Sequence, residues 1–438
     1  MRVAVVGAGI VGVTTAYELL RDGHEVTLFE RRSSVGVEAS FANAGVQAPG
    51  YVTPWAAPGM LRKVLGQLGR RDAAVRIAAI PNPALAAWLW RWWRASALPT
   101  YQANRNAMLA LAEISLARTR ELAAELSIEH ERAHGLLVLL RSEGELALAR
   151  PGLKLLTESG VGFHVVDAAV CRRIEPALSD ATAIRAGIHL PGADVGNCRQ
   201  FALALKTELQ RRGAELRFNH AVQRITTGSA GAAVTVNSVA LATDAKSTFA
   251  ATGNTGNAQS ESFDAVVVCA ALESRRLLRP LGLKLPLLPV YGYSITLPVR
   301  HFEAHPDVGP RAALMDERFK VAISRLGDRV RVAGSAELGG AAGHLSQAPI
   351  ATLHRVLQDW FPSAARHANA ITWKGARPML PDGPPAIGSA GAPGVWLNTG
   401  HGSSGWALAC GSARLLADAI AGRTPAMDPA RFSPQRWR

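Results

Sequence analysis

The sequence predicts an α/β Rossmann-like domain interleaved with an α+β domain built on an antiparallel sheet, and three observations predict it. A glycine-punctuated turn, Val3-Ala-Val-Val-Gly-Ala-Gly-Ile-Val-Gly12, links an unbroken apolar run to a helical pattern at the start of the chain. A second apolar strand pattern closes on an acid, Glu25-Val-Thr-Leu-Phe-Glu30. Residues 286–335 then alternate polar and apolar, as in Tyr293-Ser-Ile-Thr-Leu, the two-residue period of antiparallel strands.

Residues 3–6 carry no polar side chain, as a strand buried on both faces requires. Gly7 allows the tight turn, Gly9 lets the backbone approach a pyrophosphate, and Gly12 lets helix and strand pack closely. The helix runs through Tyr17 and Leu20, stops near Gly23, and aims its free N–H groups at phosphates. Glu30 stands eighteen residues after Gly12 at a strand's carboxyl end. A carboxylate there accepts both ribose hydroxyls of an adenosine and repels a 2′-phosphate. Strand, turn, helix, strand and acid in this order read as a dinucleotide-binding unit. Arg2 and the apolar stretch imitate a signal peptide, but no small-residue cleavage site follows, and Glu18, Arg21 and Asp22 interrupt it.

Farther along, a Gly/Ala/Ser/Asn loop covers 38–45 and a proline-rich stretch 49–58. Helices are expected over 83–94, 103–127, 143–158, 197–212 and 349–361, and strands over 136–140, 215–219, 263–270 and 395–398. Segment 243–262, rich in Ser, Thr, Ala, Gly and Asn, reads as an exposed hairpin tip or insertion. The nucleotide domain is expected from 1–50 with 194–282 and 370–438, and the second domain from 51–193 with 283–369.

The chain has 438 residues, 48% of them hydrophobic, and a net charge of +14. Its basic residues come as isolated pairs, such as Arg70-Arg71, and no basic run marks a nucleic-acid binder. The charge reads as an arginine-rich solvated surface, with attraction to an anionic membrane surface as the alternative. No run is long and apolar enough for a spanning helix. Cys171, Cys198, Cys269 and Cys410 are scattered, which fits a reducing compartment and not a disulfide framework or a cysteine zinc site.

Gly400-His-Gly-Ser-Ser-Gly405 repeats the glycine spacing before a final helix over 405–421, but no return strand and acid follow. Its free N–H groups near Ser404, Gly405 and Trp406 suit the other end of the same cofactor, where a reduced flavin carries negative charge. His130-Glu-Arg-Ala-His134 spells a zinc-protease motif, but the helix ends near Ser127 and Gly135 follows, so it reads as a solvated turn without metal. Trp88, Trp90, Trp92 and Trp93 surround most of a helix and read either as core or subunit contact or as a membrane-interface anchor.

The chain resembles the D-amino-acid dehydrogenase small-subunit family, within the D-amino-acid oxidase superfamily of flavoproteins. The resemblance rests on Ala39-Ser-Phe-Ala-Asn-Ala-Gly45, Pro54-Trp-Ala-Ala-Pro-Gly59, Gly292-Tyr-Ser-Ile-Thr, Met315-Asp-Glu-Arg-Phe-Lys, Arg377-Pro-Met-Leu-Pro-Asp-Gly383 and Leu397-Asn-Thr-Gly-His-Gly402, spread over almost the whole chain in one order. It implies non-covalent FAD and oxidative deamination of D-amino acids to 2-oxo acids and ammonia, with hydride transfer to flavin N5. It also implies electron passage to a quinone or dye, and a cytoplasmic protein peripheral on the inner membrane's cytoplasmic face. By position, Gly7, Gly9, Gly12 and Glu30 bind adenosine and pyrophosphate, with the main chain near Val222 beside the adenine. Ser40, Asn43, Ala44 and Gly45 flank pyrophosphate and isoalloxazine, and Gly402, Ser403, Ser404, Gly405 and Trp406 reach the flavin pyrimidine.

Arg377, in Gly375-Ala-Arg-Pro378, is expected to grip the substrate carboxylate. Tyr293, Tyr291 and Tyr51 are candidate pocket walls, and His401 is the candidate base, although its glycine turn suits flavin or backbone bonding equally. Tyr291 stands where the family usually carries lysine, and Cys269-Ala-Ala-Leu replaces the commoner glycine turn. The alternatives are a flavin enzyme for a secondary amine such as D-hydroxyproline, sarcosine or glycine, and a non-catalytic FAD-binding subunit.

Overall fold

The apolar run after Met1 becomes the centre of a six-stranded sheet. The computed structural model describes residues 1–66, 73–77, 83–228, 234–240, 259–300 and 308–438. Strands β1 (Arg2–Val6), β2 (Glu25–Glu30), β8 (Glu215–Phe218), β12 (Ala265–Val268), β18 (Ala386–Ser389) and β19 (Val395–Thr399) stand in the order β18-β19-β12-β1-β2-β8. All neighbours are parallel except β18 and β19. Val3, Ala4 and Val5 are fully buried, which explains their uniform apolarity.

Helices α1 (Ile10–Arg21), α4 (Leu98–Glu125), α7 (Cys198–Arg211) and α10 (Gly405–Ile420) share one core with this sheet. The helix expected over 103–127 begins at Leu98, because Pro99 sits in its first turn, where no intrahelical N–H bond is lost. The fully buried Glu18 clamps three helices: Arg118 Nε of α4 donates to it at 2.7 Å and Arg414 Nη1 of α10 at 2.7 Å. Glu18→Ala would leave Arg118 only its surface partner Glu121, so we expect it to lower unfolding stability by about 3 kcal/mol in denaturant melts.

Three antiparallel strands, β9 (His220–Thr227), β10 (Val234–Ala240) and β11 (Gln259–Phe263), form a small second sheet. Of the expected insertion over 243–262, residues 243–258 lie outside the described residues. Residues 259–262 are strand, paired with β10, rather than hairpin tip.

The ten-stranded, mainly antiparallel sheet holds β3 (Val46–Gln47), β4 (Val75–Ile77), β5 (Ala133–Leu140), β6 (His164–Val166), β7 (Ala186–Val195), β13 (Leu288–Pro298), β14 (Ala313–Asp316), β15 (Val321–Leu326), β16 (Arg329–Leu338) and β17 (Ile371–Met379). Its path is β17-β13-β16-β15-β14-β5-β7-β3, with β4 on β16 and β6 on β7. Segment 370–379, grouped with the nucleotide domain from sequence, is instead the edge of this sheet. β17 pairs with β13 from Met379 opposite Leu288 to Ile371 opposite Thr296. Helices α2 (Met60–Leu65), α3 (Pro83–Ala95), α5 (Glu143–Glu158), α6 (Ala168–Ile174), α8 (Ser274–Leu278) and α9 (Gln347–Trp360) complete the described fold.

Candidate active site

The N-terminal ends of α1 and α10 open on one cavity of about 2290 Å³ that runs between the two larger sheets. Its size exceeds the roughly 300–1,000 Å³ of ordinary small-molecule pockets and admits a dinucleotide together with a smaller molecule.

At the α1 end the glycines are set by close backbone approach. Gly7 has φ +102°, and a Cβ there would lie 2.8 Å from the Cys269 carbonyl oxygen. A Cβ on Gly12 would lie 1.8 Å from the Gly7 carbonyl oxygen. Gly12 therefore serves helix–strand packing and does not itself line the cavity, whereas Gly7 and Gly9 do. Ser40 Oγ accepts from the Ile10 amide at 3.0 Å, tying the 38–45 loop to the helix start. Glu30 lines the same end and accepts from the amides of Ala8 (2.7 Å) and Arg32 (2.8 Å). Burial raises its pKa, against the lowering effect of those two N–H bonds. The ionised form accepts from the adenosine hydroxyls more strongly than the protonated one, so we expect bound FAD to loosen on acidification at a higher pH than an ordinary carboxylate would give. Flavin fluorescence against pH, with Glu30→Gln as reference, reads this.

Val222 lines the cavity, and its carbonyl accepts from Arg276 Nη2 at 2.8 Å. The Asn43 Oδ1 atom accepts from Gly45 N at 3.0 Å, and the Ala44 carbonyl accepts from Ser324 Oγ at 2.7 Å, so the loop is pinned from β15 of the ten-stranded sheet. The Trp406 indole donates to the Gly45 carbonyl at 3.1 Å and locks the α10 start to that loop. Gly402, Ser403, Ser404 and Gly405 line the cavity as a short 3-10 turn and the first residue of α10. A Cβ on Gly402 would lie 2.5 Å from Met379 Sδ.

At the far end stands Arg377 of β17. Its guanidinium donates to the Ser335 carbonyl at 2.8 Å and lies 5.9 Å from the Trp55 ring. Gly292, diagonally across on β13, makes room: a Cβ there would lie 2.3 Å from Arg377 Nη2. Ser335 takes φ +61° where the β13–β16 register slips, and this bulge delivers its carbonyl to the arginine. No carboxylate pairs with Arg377 among the described residues, and burial lowers its pKa to about 10.

Tyr293 is buried, and its hydroxyl donates to Glu337 Oε2 at 2.6 Å. Glu337 Oε1 pairs with Lys374 Nζ at 2.8 Å, and that ammonium also donates to the carbonyls of Ala341 (2.9 Å) and His344 (2.7 Å). The same ammonium lies 4.5 Å from the Tyr291 ring centroid. Tyr293 thus lines the cavity with its hydroxyl already engaged, while Tyr291 offers a ring wall. A lysine reaches Tyr291 from the next strand. Glu337, Lys374 and Ser335 escaped sequence reasoning because only strand register brings them here.

His401 is buried, with Nε2 3.0 Å from Ser412 Oγ. That hydroxyl donates to the Ala409 carbonyl at 3.0 Å, which assigns the imidazole proton to Nε2. Burial lowers the His401 pKa to about 3, so the ring is neutral at any working pH. Tyr51 also lines the cavity, away from Arg377, with its hydroxyl donating to Glu317 Oε2 at 3.2 Å beside the β14–β15 turn.

The zinc-like motif needs correction. His134 stands exposed at the start of β5 with Nδ1 2.9 Å from Asp194 Oδ1, but His130 is buried against Phe201 and Trp406, not solvated. No group of three or more metal-ligating side chains stands together among the described residues. The tryptophan helix is divided: Trp88 and Trp92 are core, with Trp88 Nε1 donating to the Met379 carbonyl at 3.3 Å, while Trp90 and Trp93 are 54% and 52% exposed.

The glycine cradle, the acid beside it and the half-buried guanidinium, without a carboxylate partner among the described residues, fit FAD and a carboxylate substrate. The family described as FAD dependent oxidoreductase (DAO) matches residues 2–419. A protein of Methylobacterium nodulans named D-amino acid dehydrogenase is 40% identical over 439 aligned positions, covering 100% of this chain and 99% of that one. One of the same name from Rhizorhabdus wittichii is 38% identical, with 100% of each chain covered. The crystal structure of glycine oxidase from Geobacillus kaustophilus superposes with a TM-score of 0.73 at 21% identity, over 99% of each chain.

Proposed function

The chain belongs to the DAO family of FAD dependent oxidoreductases, and on that premise we propose that it oxidises D-amino acids to 2-oxo acids and ammonia and hands the electrons to a quinone or dye. Arg377 carries the reading: a half-buried guanidinium facing the cavity, with one backbone partner and no carboxylate partner among the described residues, is built to receive a carboxylate. The relatives at 40% and 38% identity bear the matching name.

FAD, when bound, supplies the two-electron acceptor for the hydride leaving the substrate's Cα. Gly7, Gly9 and the α1 amides would hold its pyrophosphate, Glu30 its adenosine ribose, and the 402–406 turn its pyrimidine edge. Arg377 would grip the carboxylate through two parallel N–H bonds, oriented by the Ser335 carbonyl and unobstructed because residue 292 is glycine. Lys374 and Glu337 neutralise each other, which leaves Arg377 without a compensating charge at this end among the described residues. The aromatic and aliphatic walls, among them Trp55, Tyr291 and Leu338, disfavour a substrate ammonium and favour the neutral amine. His401, bonded to Ser412 and made a weak base by burial, holds the glycine turn and is assigned no proton transfer.

Exposed Trp90 and Trp93, with Arg94 4.8 Å from the Trp90 ring, support contact with an anionic membrane surface. No helix among the described residues is long and apolar enough to cross a membrane. The double variant Trp90→Ala, Trp93→Ala is expected to float less with anionic liposomes than the parent; equal flotation removes this surface from the account.

A dye-coupled panel of D-amino acids, L-amino acids, sarcosine, glycine and D-hydroxyproline, run beside an oxygen electrode, tests the activity. Turnover is expected with D-amino acids and dye, with little oxygen uptake. Faster turnover of the secondary amines would reassign the substrate.

A further inference from the structure

Arg105 is a second cation of the cavity without a carboxylate partner among the described residues, and it has no part in the reaction above. It projects from α4, is 3% exposed, and lines the cavity. Its one hydrogen bond among the described residues runs from Nη1 to the Leu155 carbonyl at 3.5 Å, the limit of such a bond. Among the described residues it forms no ion pair with a carboxylate; Tyr101 and Glu158 act on it only through space, and burial lowers its pKa.

The surroundings are apolar and differ from those of Arg377. Leu153 and Leu156 of α5 and Ile188 and Leu190 of β7 line the lobe. Tyr101 stands one helical turn before Arg105 on the same face of α4 and also lines the cavity. Leu148, on α5, lines the cavity too and is 75% exposed, which marks the mouth. The nearby Tyr51, Glu317 and Lys320 bond to one another and leave no spare charge.

The lobe lies over β14, β5 and β7, whereas Arg377 belongs to β17 at the other end of the sheet path. Four to six strand spacings separate them, roughly 20–30 Å. One amino acid cannot reach both guanidiniums, so Arg105 is not a side-chain subsite for the substrate held by Arg377.

We infer that the α4–α5 lobe is a second binding site, for a carboxylate carried on an apolar body, with Arg105 as its anchor. A buried guanidinium lacking a counter-ion selects an anion, and the leucine walls select an alkyl or aryl tail. Alkanoic acids and apolar 2-oxo acids share this chemistry. The inference stands independently of the reaction proposed above.

Calorimetric titration of octanoate into the FAD-loaded full chain tests it, in an Arg377→Met background so that the other carboxylate anchor is silent. Octanoate is expected to bind one site, and adding Arg105→Met to weaken it about tenfold or more. Leu148→Glu, a change at an exposed position that leaves the core intact, is expected to weaken it as well through like charge at the mouth. Flavin content and Tm should match the background. 2-Oxooctanoate in a parallel arm separates the sources, and tighter binding of either acid at Arg105 supports the site. Octanoate affinity unchanged within twofold by both changes, or equal binding of octanol, overturns it.

Discussion

Arg377→Ala is expected to lower kcat/KM for a D-amino acid by about 10²–10⁴-fold while FAD stays bound. The variant removes two charge-assisted hydrogen bonds to the substrate carboxylate, each contributing roughly 1.5–3 kcal/mol. Most of the loss should appear in KM, because the carboxylate is bound alike before and during hydride transfer. Arg377 touches the Ser335 carbonyl and none of the glycine cradle, so flavin content should be that of the parent. Stability should hold or rise, since the substitution deletes a half-buried charge that no carboxylate among the described residues compensates. Arg377→Lys should recover only a fraction of the loss, because an ammonium cannot form the parallel pair of bonds. Steady-state kinetics with flavin content and thermal melts read all three. Kinetics equal to the parent would remove Arg377 from the site.

The second large effect separates two glycines of one motif. A Cβ on Gly12 meets the Gly7 carbonyl oxygen at 1.8 Å, backbone against backbone, where nothing flexible can yield. Gly12→Ala should therefore force α1 off β1 and give insoluble or unfolded protein without flavin. A Cβ on Gly9 meets only Ser40 Oγ, at an ordinary 3.5 Å, and Gly9 has φ −65°, which alanine adopts freely. Gly9→Ala should fold with a near-parental Tm yet lose FAD, because its methyl group would occupy the approach to the pyrophosphate. Circular dichroism, Tm and flavin absorbance distinguish the two. Retained flavin in both variants would show that the motif does not cradle the cofactor.

Local chemistry was legible in the sequence and cross-strand chemistry was not. The turn from Val6 to Gly12 could be read because its constraints act within one turn of chain, and Glu30 because it ends the next strand. Arg377 was legible from its Gly-Ala-Arg-Pro setting, but its partner was not: the Ser335 carbonyl points at it only because β16 bulges opposite Gly292. Tyr293 was read as a pocket wall, yet its hydroxyl belongs to Glu337, a residue two positions from Ser335 whose pairing depends on register. The lysine that seemed displaced at position 291 has a counterpart in Lys374, which reaches the Tyr291 ring from β17. The placement of β17 itself followed the same rule, since its periodicity fits either sheet and only pairing with β13 decides. His130 looked solvated because Phe201 and Trp406, distant in the chain, are what bury it.

Anaerobic addition of D-alanine to the purified yellow protein tests the central claim most directly, because it needs no electron acceptor. The oxidised flavin band should bleach with D-alanine, persist with L-alanine, and persist with D-alanine in Arg377→Ala at the same substrate concentration. A band that survives every D-amino acid offered, or a polypeptide that takes up no FAD, would contradict the account.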